Sequence, residues 1–298
     1  MGVFAGLCTL DVVQEVEHLP RPDEKITAWR QVVAAGGPAT NAAVTFAALG
    51  GRAVLVTALG TGAVADIART DLTLHGVEIV DVAPNEPDRL SVSSVLVRVG
   101  AGERAVVSTD AGSQPVEEVL DLRAVLGAAD VVLVDGHHAV LMSQIAQWAH
   151  TAAIPVVLDA GRWRPAMAGV LSAASTVICS ADFRHPGSTD VESSARLLRG
   201  AGVPIVIVTQ GAEPALWWAA GRSGSVVPPR VEPVDTSGAG DAFHGAYCFY
   251  AANGTSDVER LLERAARVAS TKCAHFGPRS WLQQLDVSLS ESARPPTA

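Results

Sequence analysis

In Val234-Asp235-Thr236-Ser237-Gly238-Ala239-Gly240-Asp241, small residues surround two glycines and a carboxylate follows at once. Apolar residues at helical spacing come next (Phe243, Ala246, Tyr247, Tyr250), so the segment reads as a glycine-rich loop opening a helix. The first turn of such a helix leaves backbone N–H groups unpaired and pointing together, a cradle for an anion such as phosphate. Asp241 falls on that turn, where the dipole favours its ionised form. An anion cradle beside an ionised carboxylate suits phosphoryl transfer. The N–H groups of Gly238, Ala239 and Gly240 would meet the transferring group, and Asp241 would take the proton of the attacking hydroxyl. No Lys follows the glycines and Gly-x-Gly-x-x-Gly is absent, which excludes a Walker A loop and a dinucleotide fingerprint. Taken alone, the same residues also suit a plain turn with an Asp at a helix start.

A second segment, Ala35-Gly36-Gly37-Pro38-Ala39-Thr40-Asn41-Ala42-Ala43-Val44 with Leu49-Gly50-Gly51 beyond it, narrows the choice. The two segments, in this order and separation, resemble the two signatures of the ribokinase-like (PfkB) sugar kinase family, and the similarity runs over nearly the whole chain. The resemblance implies a three-layer α/β/α sandwich with a mainly parallel central sheet and a small β lid. It implies an ATP-dependent kinase using Mg²⁺, with Asp241 as catalytic base and Gly238, Ala239 and Gly240 as anion hole. Asp11 matches the family Asp that grips sugar hydroxyls, and Gly36, Gly37 and Asn41 match the first signature at the sugar. Asp235 and Thr236 begin the second motif. Asp235 lies where the family has a monovalent-cation site, a candidate for K⁺, and Thr236 lies on the nucleotide side. Thr209 and Gly211 resemble a strand-end Thr-x-Gly near the nucleotide, and Lys272 falls where the family closes over the adenine. Asp159 ends a strand and could face the phosphates or Mg²⁺. Many members carry Asn-x-x-Glu after the strand that here reads Val177 to Asp182, so Asp182 offers the remaining carboxylate for the metal.

Composition sets bounds on these readings. The 298 residues, 48% hydrophobic and 18% charged, can bury one large α/β core. A net charge of -9 lacks the basic surface of a nucleic-acid binder. No apolar run is long enough for a membrane span, and the N-terminus has no basic stretch before an apolar one. The four scattered cysteines read as buried thiols in a reducing cytoplasm.

The elements that must position these residues follow from periodicity and punctuation. Val3 to Leu10 reads as a buried strand, and Val12 to Val16 and Ile26 to Val33 as two further strand-like pieces. Pro38 to Leu49 reads as a helix with Pro in its first turn. Residues 54–59 form a strand and 64–76 a helix. Leu90 to Val99 and Glu103 to Ser108 form a hairpin. Strands near 131, 155, 176 and 204 then alternate with helices, the pattern of a parallel sheet covered on both faces. Ser256-Asp257-Val258-Glu259 reads as a capping box with Ser256 as N-cap. By resemblance, the β segments at about 11–33 and 88–108 form a lid within a single kinase domain spanning 1–289. Residues 290–298 read as a flexible tail, and a homodimer through the lid is expected.

The substrate is less legible. Lys25 in the first lid segment and His137 at a strand end are candidates to contact a sugar and any anionic substituent on it. Gly36-Gly37-Pro38-Ala39, Phe243-His244-Gly245-Ala246 and Lys272-Cys273 look like the sulfofructose kinase branch, whose sulfonate-binding Arg is His137 here. The expectation is a kinase acting on the primary hydroxyl of a ketose or anionic sugar. A nucleoside kinase of the same fold and a catalytically silent sugar- or nucleotide-binding regulator are the alternatives. Aromatic content of 5% disfavours the first, and the intact Gly238 to Asp241 loop disfavours the second.

Overall fold

The computed structural model describes residues 1–100, 102–110, 116 and 121–285. In chain order the strands are β1 (Gly2–Ala5), β2 (Thr9–Val16), β3 (Arg30–Gly36), β4 (Ala53–Thr57), β5 (Val77–Asp81), β6 (Ser91–Arg98), β7 (Arg104–Val107), β8 (Val131–Val134), β9 (Val156–Ala160), β10 (Thr176–Ser180), β11 (Ile205–Gln210), β12 (Glu213–Ala219) and β13 (Arg222–Val226). The helices are α1 (Pro38–Ala48), α2 (Ala63–Leu74), α3 (Arg123–Leu126), α4 (Ala139–Thr151), α5 (Val191–Gly200), α6 (Ala239–Ala252) and α7 (Val258–Cys273).

Nine strands form one sheet in the order β13-β12-β11-β10-β9-β8-β1-β4-β5. From β11 to β5 every pairing is parallel, and β12 and β13 add an antiparallel edge. The central strands are largely apolar, and β1 and β8 entirely so, because both faces are covered. Alternation sorts them: Phe4, Leu55, Leu133 and Ile178 pack under α1, α2, α6 and α7, while Val3, Val54, Val132 and Val177 pack under α3, α4 and α5. α1 and α6 cross closely. A Cβ on Gly245 would lie 2.3 Å from the Ala42 carbonyl oxygen, so only glycine lets these helices approach.

The lid is a separate four-stranded sheet, β3-β2-β6-β7, with β2 and β6 parallel and both outer pairings antiparallel. Its inner face carries Val13, Val95 and Val97 against Phe276.

Several boundaries differ from the sequence expectation. The expected strand Val3 to Leu10 is two strands: the chain leaves the large sheet after Ala5 and enters the lid at Thr9. The lid strand expected over Ile26 to Val33 runs instead from Arg30 through Gly36, because it pairs residue for residue with β2 down to Thr9. The N-cap of α7 is Asp257, not Ser256; its carboxylate accepts from Arg260 N at 2.9 Å, which moves Glu259 out of register for a capping box. β5, β12 and β13 were not expected. β12 and β13 meet at a two-residue turn, Ala220-Gly221, with φ of 49° and 76°, the geometry of a tight hairpin. Cys273 is half-buried rather than buried. The expected tail at 290–298 lies outside the described residues. No helix among the described residues is long and apolar enough to cross a membrane.

Candidate active site

The site is built where the carboxyl ends of β1, β8 and β9 meet the N-termini of α1 and α6, with the lid on one side. Asp11 follows directly from the crossing into β2. Its Oδ1 accepts the Thr9 hydroxyl at 2.6 Å, and burial raises its pKa against that bond and one from Ser93. The glycines of the first signature serve this crossing. A Cβ on Gly36 would fall 2.0 Å from Asp11 Oδ2, and one on Gly37, at φ 100°, would fall 2.3 Å from the Leu7 carbonyl oxygen. Their smallness therefore admits protein groups, where the sequence suggested close approach of a sugar.

Asp241 sits in the first turn of α6, three residues after Gly238, whose left-handed φ of 71° turns the loop into the helix. Among the described residues no side chain caps this helix start; Ala239 N donates to the Thr236 carbonyl at 3.3 Å, which leaves the N–H groups of Gly240 and Asp241 without an intrahelical partner. Asn41 Nδ2, from α1, donates to Asp241 Oδ2 at 2.8 Å, a contact across 200 residues of chain. Burial, followed by the nearby Asp159 charge, raises Asp241 to about 6; Asn41, His244 and Arg104 pull the other way. Asp159 at the end of β9, Asp241 and His244 each offer a ligand atom, all within 4.8 Å of one another. His244 Nδ1 lies 3.0 Å from Asp159 Oδ2 but outside hydrogen-bond alignment, and neither ring nitrogen has a hydrogen-bond partner among the described residues. Burial lowers the His244 pKa, and the charges of Asp159 and Asp241 more than reverse this.

Asp235, six residues before Asp241, is held differently. Its Oδ1 accepts from Ser237 N at 2.8 Å and its Oδ2 from Gly277 N at 2.9 Å. Lys272 Nζ lies 3.1 Å from Oδ2 and donates to the Asp235 carbonyl at 2.9 Å. This corrects two expectations. Asp235 does not present a free carboxylate to a monovalent cation, because an ammonium already stands there. Lys272 does not present a free cation to a nucleotide, because the same contact holds it. Thr236 faces the lid: its hydroxyl donates to the Gly102 carbonyl at 2.8 Å, and Arg104 Nη1 donates to its carbonyl and hydroxyl oxygens, each at 3.0 Å.

An open cleft runs here, lined by Asp11, Asn41, Asp235, Ser237, Gly238, Lys272 and Arg279 among others.

Behind it stands a charged cluster. Asp135, at the end of β8, accepts backbone N–H groups of Leu7, Ala39 and His137 at 2.8, 3.1 and 3.0 Å. Burial alone would raise it, but the neighbouring His137 and these bonds hold it at about 2. His137 bridges Asp135 (3.1 Å) and Asp110 (3.0 Å) through its two ring nitrogens. Burial lowers its pKa, yet the two carboxylates push it up to about 10, so the ring is an imidazolium. Arg164 Nη2 donates to Asp110 at 2.6 Å and lies 2.8 Å from His137 Nε2. Arg164 and His137 therefore converge on the one Asp110 carboxylate.

Other expected residues are not brought together with these. Lys25 is exposed in the β2–β3 connection, Asp182 is exposed after β10, and neither lines the cleft or joins the Asp159 cluster. Thr209, next to last in β11, donates its hydroxyl to the Cys179 carbonyl at 3.3 Å, and Gly211 turns the chain into β12 with φ 63°.

The sequence reading missed Arg279. Its guanidinium spans the Ala35 carbonyl (2.6 Å), Asp71 (2.9 Å) and Asn41 Oδ1 (3.3 Å), and so orients the Asn41 amide toward Asp241. Asp71 in turn accepts from Ala35 N at 2.9 Å, and its Arg279 contact helps hold it below the usual carboxylate range despite burial. Neither residue belongs to a local motif. Arg164 was also missed, since nothing in the sequence distinguishes it from its neighbour Arg162.

Comparison with known proteins places the chain in a family. The family model described as pfkB family carbohydrate kinase matches residues 2–284. The chain is 26% identical to a deoxyribokinase of Salmonella typhi over 92% of its length and 93% of that protein. It is 31% identical to an ATP-dependent ribose-1-phosphate kinase of Halopiger xanaduensis, covering 93% of each chain. Among solved structures, the ribokinase of Arabidopsis thaliana complexed with ribose and ATP superposes with a TM-score of 0.74 at 22% identity, covering 95% of this chain and 98% of the other.

Proposed function

Because the chain belongs to the pfkB family of carbohydrate kinases, we propose that it transfers the γ-phosphoryl of ATP to a primary hydroxyl of a sugar, with Asp241 as general base. Kinases of this family use ATP with Mg²⁺. The observation that carries the reading is Asp241 itself. It is a carboxylate in the first turn of α6, oriented by Asn41 and raised to about 6, beside N–H groups with no capping side chain. A base with its pKa near neutrality is ionised in the resting enzyme yet basic enough to take a hydroxyl proton as the bond to phosphorus forms. The N–H groups of Gly238 and Gly240 would meet the transferring phosphoryl and its developing charge, while that of Ala239 is held by the Thr236 carbonyl. Asp11 and Asn41, on the same cleft, bind and orient the sugar hydroxyls.

The residues present suit a magnesium ion carried on the phosphates. Asp159 offers a buried carboxylate near Asp241, and Mg²⁺ prefers oxygen donors and retains water. When bound, the ion would neutralise phosphate charge, leaving proton abstraction to Asp241.

For the sugar, an anionic derivative is favoured. Arg164 and the imidazolium of His137 share Asp110, which comes from the chain following lid strand β7. A phosphate, sulfonate or carboxylate on the substrate could take the place of Asp110 between the two cations. The Halopiger relative is named for a sugar phosphate. We also expect a homodimer through the lid. Val33, Val92 and Val107 share one lid face and are 41%, 44% and 75% exposed, which a second copy would cover.

The test is ADP release with Mg·ATP across neutral sugars, sugar phosphates, a sulfosugar and nucleosides. A response to sugars supports the kinase reading, and preference for a charged sugar supports the His137–Arg164 reading. A response confined to nucleosides would overturn both.

A further inference from the structure

We propose that Lys272 is a built-in counter-cation, so that the glycine-rich loop is braced without the K⁺ that the family resemblance implies at Asp235. The residues do not fit a free monovalent ion. Lys272 and Asp235 are 2% and 1% exposed. The Lys272 ammonium touches both the Oδ2 and the carbonyl of Asp235, at 3.1 and 2.9 Å, where an ion would have to sit. Two further approaches to the carboxylate are taken by Ser237 N and Gly277 N. A second cation here would meet the first at close range in a poorly screened interior.

The position suits a cation for reasons of fold. Lys272 lies in the last turn of α7, where unpaired carbonyls favour positive charge. The next residue, Cys273, accepts through its carbonyl from both Val234 N and Asp235 N, at 2.8 and 3.2 Å. The end of α7 and the start of the loop are therefore zipped together, with the Lys272–Asp235 pair buried at the joint. Three residues after Asp235 comes Gly238, the cap of α6, and then Asp241. Lys272 acts on the reaction only through this loop. It is a positioning residue, and it makes catalysis indifferent to potassium.

The experiment has two arms, of which the melting arm does not depend on the kinase reading. First, wild-type protein without substrates is melted in KCl, NH₄Cl and choline chloride at equal ionic strength, and its turnover is measured in the same salts. Equal melting temperatures and equal rates are expected. Melting raised by K⁺, or turnover activated by it, would overturn the proposal. Second, Lys272→Met is melted and assayed in the same way. The variant should melt lower and lose about 10- to 100-fold in kcat through misplacement of the loop. K⁺ or NH₄⁺, entering the vacated position, should raise its melting temperature and restore part of kcat, while choline should do neither. A Lys272→Met variant that folds but ignores K⁺ and NH₄⁺ would show the lysine to be ordinary packing and sink the proposal. If Lys272→Met does not fold, Lys272→Gln carries the same comparison, and the wild-type arm decides by itself.

Discussion

Asp235 and Asp241 stand six residues apart on one loop, and the fold treats their carboxylates in opposite ways. Asp235 meets an ammonium and two backbone N–H groups, which outweigh burial and hold it below its usual pKa. Asp241 meets one amide from Asn41, with Asp159 nearby, and rises to about 6. The first carboxylate has three partners that favour its charge, which suits a brace for the loop. The second has one, and that deficit suits the base proposed above. Local sequence alone does not say which of two aspartates in one motif is structural; the partners each finds do.

The sharpest way to break this contrast is Asp241→Asn. Turnover should fall by roughly 10²- to 10⁴-fold while sugar binding, read by calorimetry, persists. The same change should stabilise the protein at pH 8. A carboxyl whose folded pKa lies above its unfolded value weakens the fold as pH rises from about 4 to about 6, and the ionised form then costs on the order of 3 kcal/mol. A lowered melting temperature for Asp241→Asn at pH 8 would mean that Asp241 is a structural residue like Asp235.

Asp235→Asn should have the opposite signature. It leaves Lys272 buried without its carboxylate and should destabilise by about 3–5 kcal/mol, measured by urea denaturation. For wild-type Asp235 the sign is the ordinary one: its stabilisation is complete above the usual carboxylate pKa and is lost as pH falls through its depressed folded value.

A smaller effect concerns pH. Initial rates at low sugar concentration should fall below about pH 6 as Asp241 takes up a proton. In metal-free protein, Asp159→Asn removes the neighbouring charge and should lower the Asp241 pKa read by NMR titration; an unmoved pKa would assign the rise to burial alone. The smallest effect expected is at the remote cluster. Arg164→Ala should raise KM for a charged sugar by about tenfold with little change for a neutral one, which initial-rate assays would separate.

Much of the fold was legible because its causes are local. Alternation of apolar strands with helices, Pro38 at a helix start and the glycine loop before Phe243 each follow from backbone rules over a few residues. Strand ends were less legible, because pairing sets them: β3 extends to Gly36 since β2 extends to Thr9. The edge strands β12 and β13 went unread because Pro214 and the two tryptophans blur any period-two pattern.

For the site, sequence by itself determined the chemistry available: a carboxylate on a glycine-opened helix, an Asn after paired glycines, and an Asp after the first strand. Tertiary structure decided the roles. Arg279, Asp71 and Asn41 are separated by up to 238 residues and meet only because α1, α2 and the segment after α7 converge. Lys25 and Asp182 carry suitable charges but end on exposed loops away from the cleft. Lys272, expected at a nucleotide, was turned inward onto Asp235. The physical reason is common to all of these. A residue's type sets what it can donate, accept or ionise, but burial and the charges it meets set whether it will, and those come from parts of the chain far away in sequence.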